Sequence, residues 1–156
     1  AALEFFPAAA HLMPDSVEVL CNVARALKEK GEYEIAIHHY RKAIELDATN
    51  AQVFRDMAMC EKLNDNPAEA KNIYELITTE DPLNADAHNS FGNFLKETGA
   101  VEEAISHYER AIELEPNNPP PVNNLGILYR DDGQDDKAEE VFELAREKFR
   151  EAKKVH

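Results

Sequence analysis

Apolar residues recur along this chain at helical spacing. Ala36 and Tyr40, Ala70 and Tyr74, Ala104 and Tyr108, and Ala138 and Phe142 repeat one four-residue step four times. Residues four apart share a face of an α-helix, whereas a strand would alternate its faces, so each pair marks an amphipathic helix. Before each pair stands a large apolar residue followed by a small one, as Val23-Ala24, Met57-Ala58, Phe91-Gly92 and Leu125-Gly126. These predict an earlier amphipathic helix in each stretch. Gly31, Gly99 and Gly133 separate the two helices, since glycine accepts the positive φ that ends a helix. Pro82 and Pro116, followed by Asn84 and Asn118, stop the later helix and start the next pair. The pattern thus predicts consecutive helical hairpins, each built of two helices of about 14 residues.

The stretches are copies of one another at a shift of 34 residues. Four copies run 17–50, 51–84, 85–118 and 119–152. Ala2, Phe6, Ala9 and Pro14 fall in the same register, so residues 1–16 read as the second helix of a preceding copy, with a basic extension to 156 at the other end. The alanine and glycine columns belong where two helices cross closely, with the aromatic column filling the adjacent gap. Leu20, His88 and Val122 stand where the second copy has Phe54, and that copy has Asp65 in place of glycine and Ile77 in place of alanine. Packing there is expected to differ locally. Asn64-Asp65-Asn66-Pro67 still spells a turn, with Pro67 suited to the first position of a helix, and Pro119-Pro120-Pro121 opens the fourth copy in the same way.

These residues resemble the tetratricopeptide repeat, most closely at Phe91-Gly92, Leu125-Gly126-x-x-Tyr129, Ala104-x-x-x-Tyr108 and Pro116, and the likeness covers nearly the whole chain. The resemblance implies an all-α, right-handed superhelical solenoid of antiparallel helix pairs forming one domain. It also implies a concave groove lined by the first helix of each pair. By that geometry the groove carries Cys21, Asn22, Arg25, Lys28, Arg55, Asp56, Met59, Lys62, Asn89, Ser90, Asn93, Lys96, Asn123, Asn124, Ile127 and Arg130. Lys28, Lys62, Lys96 and Arg130 repeat a cation at one place in every copy, which either forms a basic stripe that steers partners or pairs with neighbouring acids such as Glu29, Glu97 and Asp131. Asn22, Asn89, Asn93, Asn123 and Asn124 offer side-chain amides that either hydrogen-bond the backbone of an extended peptide or stand as ordinary polar surface. Their placement is similar to the asparagine ladder of the superhelix in O-linked N-acetylglucosamine transferase, interrupted here by Asp56 and Ser90. The carboxylate clamp of another branch of the family is not made by the corresponding residues.

Composition adds an electrostatic constraint. The formal charge of −14 comes from 31 acids against 17 bases, an excess that repels a phosphate backbone and argues against nucleic acid as a partner. The last eleven residues are the exception: Arg146, Lys148, Arg150, Lys153 and Lys154 outnumber Glu147 and Glu151. Cations there either complement a helix C-terminus or form a partner-docking tail. No apolar run reaches the roughly 18 to 20 residues that span a bilayer, and no targeting segment is read at the start. Cys21 and Cys60 have no metal-binding or disulfide spacing, which fits a reducing compartment such as the cytoplasm.

No nucleophile elbow, phosphate-cradling loop or zinc-binding histidine motif occurs, and His38 and His39, adjacent on a helix, point about 100° apart. Glu102-Glu103 and Asp135-Asp136 start second helices, where carboxylates meet the positive helix end. The expected function is therefore non-enzymatic and cofactor-free: a scaffold that binds an extended or helical segment of a partner protein in its groove. The alternatives are a substrate-presenting or assembly arm of a larger enzyme, for example a glycosyltransferase, and a self-association module through its end helices, where Leu3, Phe5, Phe6 and Leu12 form an apolar surface.

Overall fold

A computed structural model of the chain describes residues 16–155. The half-copy expected over the first 16 residues, with its apolar Leu3, Phe5, Phe6 and Leu12, falls outside them except for Ser16. The described residues form eight helices and no strand: α1 (Val17–Lys30), α2 (Tyr33–Leu46), α3 (Ala51–Leu63), α4 (Pro67–Glu80), α5 (Ala85–Glu97), α6 (Val101–Leu114), α7 (Pro119–Asp131) and α8 (Asp135–Val155). The all-α expectation holds. The chain divides into two compact units, one reaching Ile77 and the other beginning at Thr78.

Local chemistry sets the helix boundaries. Ser16, Asn50 and Asn84 cap α1, α3 and α5, their side-chain oxygens accepting from the backbone N–H groups of Val19, Gln52 and Ala87. This satisfies amides that the first turn leaves open. Gly31, Gly99 and Gly133 turn the chain between helices at φ of 89°, 88° and 78°, a region that costs a side-chain-bearing residue about 1–2 kcal/mol. Asp65 takes the same role at φ 60°. The difference expected from the missing glycine is thus absent from the backbone course, because aspartate tolerates the left-handed region better than most residues. Asn66 N–H donates to Glu61 O there just as Ala100 N–H donates to Leu95 O at Gly99. Pro67 and Pro119 both open their helices, α4 and α7, where a missing N–H costs nothing.

In the first unit α1 packs on α2 and α2 on α3; in the second α5 packs on α6, α6 on α7 and α7 on α8. The repeated columns are the core. Ala24, Ala36, Ala58, Ala70, Ala104 and Tyr108 are all fully buried, each tyrosine-sized side chain contributing roughly 1.5–3 kcal/mol by its burial. The small column is sterically required. A Cβ at Gly92 would lie 2.7 Å from the Tyr108 ring, and one at Gly126 would overlap the ring of Phe142.

Candidate functional site

The faces of α1 and α3 in the first unit, and of α5 and α7 in the second, carry the residues expected to meet a partner. Each first helix presents them one turn apart because its opposite side is taken by the buried columns.

In the first unit these groups are tied to one another. Arg25 Nη1 donates to Asn22 Oδ1 at 3.2 Å along α1. On α3, Gln52 Nε2 donates to Asp56 Oδ1 at 2.9 Å, and the Arg55 guanidinium donates to Gln52 Oε1. Arg55 Nε is itself buried without a hydrogen-bond partner among the described residues. Asp56 bears on Cys21, Tyr40 and Cys60. With burial as the larger cause, it raises the Cys21 thiol and the Tyr40 phenol, while Arg25 acts against both shifts. Burial likewise pushes Cys60 up to about 11, opposed first by the charge of Lys28. Asp56, which interrupts the asparagine column, is therefore the acid whose charge is felt at Cys21, Tyr40 and Cys60. Met59 is exposed between these groups, with 39% of its surface accessible.

The second unit holds most of the amides. Asn124 Nδ2 on α7 donates to Asn89 Oδ1 on α5 at 3.1 Å. Tyr108 Oη on α6 donates to Asn93 Oδ1 at 2.5 Å, from a phenol that burial and Glu97 hold well above its ordinary range. These bonds settle which amide atoms remain. Asn93 keeps its Nδ2 donors, Asn89 keeps its Nδ2 donors, and Asn124 keeps Oδ1 as an acceptor. Asn123 is exposed, and Ser90 and Lys96 are half-buried on the same helices. Arg130 lies 4.0 Å from Asp131 with both side chains exposed, a pairing worth little in water.

Not every expected group is isolated on the surface. Asn22, Asn89, Asn93 and Asn124 all spend part of their hydrogen-bonding capacity inside the protein, which orients the rest. Sequence reasoning passed over two features, Glu61 and the contact between His88 and His107, and it named Asp56 without its reach. Glu61 is 4% exposed in the column that holds Leu27 and Leu95; it accepts from Asn66 Nδ2 at 3.0 Å and pairs with Arg41 at 3.6 Å. A carboxylate in an apolar column was the available signal. Asp56 and the contact between His88 and His107 needed neighbours from different helices to be known. His38 is exposed and meets the His39 ring edge-on at 6.0 Å. Among the described residues no three histidine, cysteine or acidic side chains gather for a metal, and no helix is long and apolar enough to cross a membrane.

Comparison with known proteins places these features in a family. The family description "TPR repeat" matches residues 24–58 and 92–133, and "Tetratricopeptide repeat" matches 122–148. A stretch of 50 residues is 48% identical to the human (Homo sapiens) protein O-mannosyl-transferase TMTC1, covering 32% of this chain and 6% of that protein. The chain thus spans a small fraction of that relative's length. The crystal structure of MamA superposes with a TM-score of 0.76 over 98% of this chain and 90% of its own, at 24% identity, a likeness of fold. The first TPR of Spaghetti (RPAP3), solved bound to the HSP90 peptide SRMEEVD, superposes with a TM-score of 0.62 at 26% identity, over 74% of this chain and 91% of its own. With its helical hairpins, small-residue crossings and matching profile segments, the chain belongs to the tetratricopeptide repeat family.

Proposed function

We propose that this chain is a protein-interaction scaffold that holds an extended or helical segment of a partner protein on the first-helix faces of its hairpins. The observation that carries the reading is the fixed amide array of the second unit: Asn89 bonded to Asn124, and Asn93 bonded to Tyr108. Asparagine is disfavoured in helix interiors, yet here it is held in set orientations with donors left over. Nδ2 donors left on Asn89 and Asn93, on helices that also carry Lys96 and Arg130, favour acceptor-rich ligands, namely peptide carbonyls and carboxylates. The RPAP3 module, solved with the peptide SRMEEVD, supports a peptide as the class of ligand. Asn22, Arg25, Lys28, Arg55 and Lys62 would take the corresponding role in the first unit, and Asn123 would extend the array on α7.

A test begins with peptides selected from a displayed random library on the wild-type chain. Their affinity is then compared between wild type and Asn89→Ala plus Asn124→Ala. Loss of two hydrogen-bonding side chains is expected to weaken binding about tenfold or more, at roughly 0.5–1.5 kcal/mol each. Unchanged affinity removes the array from the binding site.

A second reading has its own support. The 48% identity to an O-mannosyl-transferase over 50 residues favours a substrate-holding or assembly arm of a larger transferase. It predicts that the same double variant, placed in the full-length protein, slows transfer to protein acceptors; an unaltered rate counts against this reading.

A further inference from the structure

The contact between His88 and His107 has no counterpart in the other hairpins. The corresponding places hold Leu20 and His39, Phe54 and Ile73, and Val122 and Val141. His88, on α5, is 7% exposed. Its Nε2 lies 3.0 Å from the carbonyl of Pro82, and its Nδ1 lies 3.0 Å from Nδ1 of His107 on α6. The two rings stack at 5.3 Å between centroids, and Phe91 covers His107 at 4.3 Å.

Proton counting restricts this arrangement. A carbonyl only accepts, so His88 Nε2 must carry its hydrogen. When both rings are neutral, His88 Nδ1 is therefore bare, and His107 donates to it from Nδ1. One added proton leaves a single hydrogen between the two Nδ1 atoms, whichever ring bears the charge, so the bond persists. A second added proton places N–H against N–H and cation against cation at 3.0 Å. That contact cannot survive. We propose that the His88–His107 pair is an acid-opened latch, joining α5, α6 and the Pro82 carbonyl while it holds at most one extra proton and releasing them when it takes the second.

Burial holds the His107 imidazole below its ordinary range, His88 adds to this, and Glu103, one turn earlier on α6, opposes it. Those are the charged groups bearing on His107 among the described residues, and Phe91 supplies the apolar side. The sign follows. A histidine whose folded value is depressed binds protons more readily when unfolded, so the latch's contribution is complete above about pH 6.5. It is lost as pH falls from there through the lowered folded value. This inference stands apart from the peptide-binding reading and is tested without a ligand.

The test uses the whole chain and the variant His88→Phe plus His107→Ile, which installs the residues that the second copy has at these places, Phe54 and Ile73. Thermal unfolding is followed from pH 7.5 to 5.0, with ring nitrogens of each histidine followed by NMR on wild type. Wild type is expected to lose about 3 °C more in Tm across this range than the variant, corresponding to about half a proton taken up on unfolding, averaged between about pH 6.5 and 5.0. Its His88 and His107 resonances are expected to move together, with His107 completing its change below the ordinary imidazole range. Parallel Tm curves in the two proteins overturn the latch. So do separate, ordinary titrations of the two rings, a result that decides the matter even if the variant fails to fold.

Discussion

Gly92 on α5 offers a sharp test of the packing that defines this fold. A Cβ built there lies 2.7 Å from Cε1 and 2.8 Å from Cδ1 of Tyr108, whereas carbon pairs in contact settle at about 3.5–4.0 Å. In Gly92→Ala the ring must therefore retreat by on the order of 1 Å. Tyr108 has little room to do so, because it is 0% exposed and its hydroxyl is tied to Asn93 on α5 itself. Overpacking by one carbon costs about 1–3 kcal/mol, and replacing a helix-interior glycine by alanine returns about 1 kcal/mol. The balance is a net loss of about 1 kcal/mol, or about 3 °C in Tm for a chain of this size. Urea unfolding followed by far-ultraviolet circular dichroism measures it, as a lower midpoint at unchanged slope. A midpoint equal to or above that of wild type refutes the close approach of α5 and α6 at this crossing. It would equally refute the account of why the third copy has glycine here where the first two have Ala24 and Ala58.

Two further substitutions probe places where the copies diverge. Asp65→Gly puts glycine at φ 60°, removing a Cβ penalty but adding chain entropy to the unfolded state. A gain of about 0.5 kcal/mol is expected, read as a Tm higher by about 1–2 °C. Glu61→Leu places leucine where Leu27 and Leu95 sit in other copies. Its partner Arg41 has 61% of its side chain exposed and stays hydrated, so the urea midpoint is expected to hold or rise by the equivalent of about 1 kcal/mol. A loss above about 2 kcal/mol would instead show that the α3–α4 turn depends on the carboxylate.

How much was legible in advance depended on whether a feature is periodic. Helix positions, the glycine turns, the capping asparagines and the buried alanine and aromatic columns all follow from local spacing and backbone stereochemistry. These act within a few residues, and they repeat. Asp65 shows the limit of residue identity as a guide, since the backbone reaches the same left-handed turn without glycine. The candidate site was legible as a set of residues on one face of each first helix, but not as chemistry. That the Asn93 oxygen is engaged and its Nδ2 donors remain is decided by Tyr108, fifteen residues away, and Asn89 finds its partner only in the next hairpin, at Asn124.

By itself, then, the sequence determined the helices, their pairing into hairpins and the faces each turns inward, because those depend on short-range period and turn geometry. Only the tertiary structure decided which polar groups are consumed and which stay available: Asp56 acting on Cys21 and Tyr40, Glu61 sunk beside Asn66, and His88 locked between Pro82 and His107. The physical reason is that a hydrogen bond or charge contact needs its two partners within about 3–4 Å. Such distances between different helices are set by how the side chains in the core pack.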